Sequence, residues 1–192
     1  RRTKASTEAW AAYAVEQSEA DPVVPLLVVQ VADKPSDDHL SQILDVIHDE
    51  WPELRPQDIA HVFGTHADRH LPGQVVNYIA PQRVQDATHV RVLLAKSAIS
   101  TGWDCPRAEV LVSLRPGNDP TYVTQLIGRM VRTPLAESTS VDRLNTASAY
   151  LPKFDATTTR AVVDKLLGKS KDSDKGSSTA LVQKVLLKPT TL

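Results

Sequence analysis

Gln125, Arg129 and Arg132 form a polar stripe in the otherwise apolar stretch TYVTQLIGRMVRTP, residues 121–134. At about 100° per residue, positions i, i+4 and i+7 of a helix lie within about 60° of one another. Val123, Leu126, Ile127, Met130 and Val131 then gather on the opposite side. Gly128 stands at the edge of the stripe, where a missing side chain lets a partner approach closely. Asp119 as N-cap and Pro120 at the first helical position specify the helix start, and Pro134 its stop. Two chemistries suit the stripe. It is a solvated helix face, or a grip on a transferring phosphoryl group, for which two permanently charged forks of donors are well made. The spacing alone leaves both open.

A second stretch, KSAISTGWDCPRAEVLVSL (96–114), has small hydroxyl residues followed by Thr101, Gly102, Trp103, Asp104, Cys105 and Pro106. Gly102 suits a sharp turn or a close backbone approach, and the amides and hydroxyls around it suit a phosphate. Asp104 reads either as an acceptor for a sugar hydroxyl or as a turn residue satisfying local amides. Trp103 reads as packing rather than base stacking. Cys105 has no His–Asp company and reads as structural.

The elements that must hold these residues alternate between short apolar strands and amphipathic helices. Residues 5–20 are alanine-rich and read as a helix ending before Asp21-Pro22. Candidate strands are 25–33 (PLLVVQVAD), 59–64 (IAHVFG), 89–96 (HVRVLLAK) and 109–114 (EVLVSL). Between the first two, Ser36 caps a predicted helix whose first turn carries Asp37 and Asp38; Leu40, Ile43, Leu44, Ile47 and Trp51 share one face of it. Such alternation predicts an α/β fold with a mainly parallel central sheet and helices on both faces. In such sheets the loops at the carboxyl ends of the strands line the ligand crevice. After about residue 140 the pattern weakens: 157–168 reads as a helix, 168–179 as a flexible linker, and 180–189 as a strand.

The chain has 192 residues and a formal net charge of −1, so no global basic field announces nucleic acid or an anionic membrane. Its single cysteine forbids an internal disulfide and suggests a reducing, cytoplasmic setting. No apolar run approaches the ~20 residues of a membrane span. The start RRTKAS, rather than Met, suggests a domain belonging to a longer polypeptide.

The pair of motifs resembles motifs V and VI of superfamily-two helicases and translocases. Gly102 through Pro106 match the G-W-D-C-P element, and Gln125, Gly128, Arg129 and Arg132 match Q-x-x-G-R-x-x-R. The likeness is greatest to the restriction subunits of type III restriction–modification enzymes, and it covers about residues 21–140. The resemblance implies a RecA-like three-layer domain, the second of two, with 1–20 as a helix or linker from the preceding domain and 141–192 as an extension. It implies ATP and Mg²⁺ held between two such domains in the full-length protein, with neither bound tightly by this chain alone. The phosphate loop and the metal-binding acidic box belong to the first domain. Gly102, Asp104, Gln125, Gly128, Arg129 and Arg132 would face ATP, with Arg129 and Arg132 catalytic and Arg132 the arginine finger. Lys96, Ser97, Ser100 and Thr101 would touch a DNA backbone, aided by a patch of Lys96, Arg107 and Arg83. Relatives commonly carry Thr near the head of this loop, where this chain has Ala95, Lys96 and Ser97. Partners implied are DNA, the first RecA-like domain, and a modification methyltransferase subunit, with no membrane.

No G-x-x-x-x-G-K-[ST] loop is present; Gly168-Lys169-Ser170 has Val163 where the first glycine belongs. Asp49-Glu50 ends a helix rather than a strand and so is not an acidic box. No metal-ligand cluster stands out, and His61, His66 and His70 read as loop or surface residues. Half an ATPase site is therefore expected. The alternative is a non-catalytic α/β module retaining this fold for regulation or protein contact. A free-standing small-molecule enzyme has neither a glycine-rich loop after its first strand nor a nucleophile–base pair to support it.

Overall fold

The computed structural model of the chain describes residues 1–18, 21–96, 103–115 and 139–153, together with 157, 160, 161 and 164. The helix expected at 121–132 and the linker and strand expected beyond 168 lie outside the described residues. Two α-helices are described, α1 (Arg2–Gln17) and α2 (Asp37–Glu50). Strands β1 (Leu27–Gln30), β2 (Ile59–His61), β3 (Arg69–Leu71), β4 (Gln74–Tyr78), β5 (Val92–Ala95), β6 (Val110–Ser113) and β7 (Ser148–Tyr150) are described with them, as are short 3-10 helices at Pro56–Asp58, Pro81–Arg83 and Asp142–Asn145.

The seven strands form one sheet in the order β3-β4-β2-β5-β1-β6-β7 among the described residues. Every pairing is parallel except the β3–β4 hairpin at one edge. β1 is central: Leu27 registers with Val92 of β5 on one side and Val110 of β6 on the other. A strand enclosed on both sides and both faces must be apolar along its length, which is why these strands are runs of Val and Leu. Alternation then sends successive residues to opposite faces. Val29, Val92 and Leu94 pack with Leu40, Ile43 and Leu44 of α2, while Val28, Leu93 and Leu111 pack with Val84, Val90, Trp103, Cys105 and Ala108. The protein is therefore α/β with a mainly parallel sheet covered on both faces.

Local chemistry sets the ends of the elements. The Ser36 side chain accepts from the His39 amide at 3.2 Å, with Asp37 and Asp38 in the positive first turn of α2, as expected. The hairpin turns at Pro72-Gly73, where Gly73 takes φ 77, a conformation open to glycine at no steric cost. Neither the hairpin nor β7 was expected from the sequence.

Helix α1 packs Trp10 and Ala9 against Leu144. The buried Glu109 carboxylate, just before β6, accepts from Ser6 Oγ and Trp10 Nε1 of this helix. Arg1 and Lys4 reach Glu50 and Glu53 across the surface. Burial raises the Glu109 pKa above its ordinary 4.5. A carboxyl that binds its proton more tightly folded than unfolded stabilises the fold below its unfolded pKa, and that contribution is lost as pH rises through the folded value. Glu109→Gln removes the charge and keeps one acceptor oxygen for Trp10 Nε1, while its amide nitrogen can donate to Ser6 Oγ. Its urea midpoint is expected to fall less than that of the parent chain as pH rises from about 4 through the folded pKa of Glu109. Parallel profiles for the two proteins would refute this.

Candidate functional site at the carboxyl edge of the sheet

Six parallel-paired strands deliver their carboxyl ends to the same edge, and the neighbours β1 and β5 diverge there. The chain leaving β1 enters α2 on one face, while the chain leaving β5 returns through Trp103, Cys105 and Ala108 on the other. Two adjacent connections leaving to opposite faces mark a topological switch point, the place of the ligand crevice in open α/β sheets.

The mouth of this crevice is built from polar side chains fixed by the sheet. Gln30, buried at the end of β1, accepts from Ser113 Oγ of β6 at 2.8 Å and makes a long 3.5 Å contact from Nε2 to the Lys96 carbonyl after β5. One side chain thus ties the carboxyl ends of three adjacent strands. Just beyond, Arg115 meets both carboxylate oxygens of Asp33 at 3.0 and 2.9 Å, joining the segments that leave β6 and β1. Lys96 is half-buried with Nζ 4.6 Å from the centre of the Phe63 ring, so the cation rests on an aromatic face.

The residues expected at this site fall into two groups. Lys96 stands at the crevice edge, and Asp104 is exposed between the buried Trp103 and Cys105. Ser97, Ser100, Thr101, Gly102, Gln125, Gly128, Arg129 and Arg132 lie outside the described residues. Trp103 belongs to the core, as its packing reading required. Cys105 is fully buried, and burial pushes its thiol up to about 11. At pH 8 the native protein is therefore expected to resist iodoacetamide, with alkylation of Cys105 appearing only on unfolding. Fast labelling of the folded chain would contradict a structural role.

Two expectations are corrected. Arg107, offered as part of a nucleic-acid patch, is 2% exposed and lies near the amino edge of the sheet, ahead of β6. Its guanidinium donates to the carbonyls of Val24, Val84, Gln85, Ala87 and Val90 at 2.7–3.3 Å. It holds the turn at 81–87 and the entries to β1 and β5. Arg83 is exposed. His61, read as a loop or surface residue, ends β2 fully buried. Its Nδ1 accepts from the Phe63 amide at 3.1 Å, and burial lowers its pKa. His66 and His70 are exposed as expected. Sequence reasoning also missed Phe63, Tyr78 and Glu109, whose roles depend on neighbours distant in sequence. Among the described residues, no group of three or more His, Cys, Asp or Glu side chains gathers as for a metal ion.

No family model matches the chain, and no curated protein matches it. Among solved structures, the chain is similar to the C-terminal part of the Fun30 ATPase domain, with a TM-score of 0.42 and 9% sequence identity. The similarity covers 86% of this chain and 44% of that one, so this chain spans less than half the length of the structure it matches. No helix among the described residues is long and apolar enough to cross a membrane.

Proposed function

We propose that this chain is the second, C-terminal RecA-like domain of an ATP-dependent DNA helicase or translocase, of the kind found in type III restriction enzymes. The observation that carries the reading is the pairing of two motifs in order along the sequence. The G-W-D-C-P element lies between β5 and β6 in the sequence, and Q-x-x-G-R-x-x-R follows β6. ATP would supply the transferable γ-phosphoryl group, with Mg²⁺ held by a phosphate-loop domain. From this chain, Arg129 and Arg132 would neutralise charge on the phosphate oxygens, and Gln125 and Gly128 would line the approach. Asp104 is exposed and so fits the role of acceptor for a ribose hydroxyl.

DNA would be gripped through its backbone, with little reading of bases. Lys96 supports this, being a cation held over Phe63 at the strand ends, while Ser97, Ser100 and Thr101 follow it in the sequence. Binding of single-stranded DNA by the two-domain protein is expected to weaken with salt. Lys96→Ala should lower the slope of log K against log salt by about 0.7, the value for one phosphate contact on a single strand. Salt-independent binding, or an unchanged slope in the variant, would count against the grip. A modification methyltransferase subunit is the further partner this reading proposes.

A further inference from the structure

Along the carboxyl ends of β5, β2 and β4 a file of ring contacts rises from the core to the surface. Lys96 lies over Phe63; Phe63 lies 4.5 Å from His61 at 30°; His61 lies 5.8 Å from Tyr78; and Tyr78 stacks on His66 at 5.3 Å and 20°. Phe63 and His61 are buried, Tyr78 is half-buried and His66 is exposed.

The outer end of this file is held in place. His66 adopts φ 53, a left-handed conformation uncommon for a residue with a side chain. Its amide donates to the Phe63 carbonyl at 3.3 Å. The Asp68 carboxylate accepts from the Tyr78 amide at 2.7 Å, fastening the loop to the end of β4. The backbone thus accepts an unfavourable conformation that presents an imidazole ring parallel to a phenol at the surface. An aromatic ring backed on one side and exposed to solvent is what an unpaired base needs for stacking, and any base has a suitable face. Asp68, an acid beside this end, disfavours a phosphate there and favours the neutral face of a base, whereas the cationic end of the file is Lys96.

We propose that single-stranded DNA crosses the carboxyl edge with one unpaired base stacked on the His66–Tyr78 pair and its backbone meeting Lys96. The inference rests on the motor reading above and adds to it a base contact from the β2 and β4 ends. The test uses the 192-residue chain with oligo(dT) carrying 5-iodouracil, scored by photocrosslink mapping and by fluorescence anisotropy. Crosslinks are expected on His66 or Tyr78. His66→Asn, in which asparagine tolerates the left-handed backbone, and Tyr78→Leu should each weaken binding roughly tenfold to a hundredfold, while Tyr78→Phe retains it. Crosslinks confined to residues 96–104 with unchanged affinity in His66→Asn would overturn the stacking and leave the motor reading standing. Absence of binding by the parent chain would also overturn the stacking; the motor reading is judged separately, on ATP turnover in Arg132→Ala.

Discussion

Arg132→Ala, made in a protein joining this chain to a phosphate-loop domain, is expected to lower kcat for ATP hydrolysis by roughly 10³-fold or more. A guanidinium reaching the γ-phosphate acts mainly as charge builds on the transferring group, so the loss should fall on kcat more than on KM. Arg132→Lys restores a charge without the planar fork and should recover only a small part of the rate. Arg129→Ala should also be slow. The double variant should lose less than the product of the two single losses if both arginines serve one transition state. Near-normal steady-state turnover in Arg132→Ala would remove the arginine from the chemistry and return the stripe to a solvated helix face.

The second large effect concerns stability. Arg107→Ala is expected to destabilise the domain by about 3 kcal/mol or more, measured by urea denaturation. Burying a guanidinium without a carboxylate is itself costly, and its pKa is accordingly lowered by desolvation. Removing it would relieve that cost, yet its partners are backbone carbonyls that no substitution can delete. Five of them would lose this donor together, although Ala87 keeps the Val90 amide. The unmet acceptors therefore outweigh the relieved desolvation. Arg107→Met retains most of the apolar stem and should be nearly as damaging as alanine, which separates lost hydrogen bonds from lost packing. A loss under about 1 kcal/mol in both variants would show that water or local rearrangement satisfies the carbonyls.

The central strands were legible because burial on both faces leaves a local mark, a short apolar run. β1, β2, β5 and β6 all lie within the predicted runs, shortened at their ends. Helix α2 was legible in its cap and in its stripe, since both depend only on residues close in sequence. The edge hairpin was not. Arg69–Leu71 and Gln74–Tyr78 mix polar and apolar residues, and only Pro72-Gly73 marks the turn between them. Strand β7 has three residues, paired through the neighbouring β6. Arg107 and His61 misled for one reason: a polar side chain is read as exposed unless its partners are visible. Arg107 finds its partners in segments about 17 to 83 positions away, and His61 lies against Tyr78 of a different strand. At the candidate site, the position of Lys96 at a strand end and the packing of Trp103 were legible. The ring file from Phe63 to His66 depends on β2 and β4 meeting and left no pattern along the sequence.

Whether this chain holds one half of a divided ATP site is decided by single-turnover hydrolysis of ATP. The chain is assayed alone and then joined to a domain carrying the phosphate loop and acidic box. The chain alone is expected to show no hydrolysis above buffer, and the joined protein to show hydrolysis that is lost again in Arg132→Ala. Clear turnover by the 192 residues alone, or turnover in the joined protein indifferent to Arg132, would contradict a divided site.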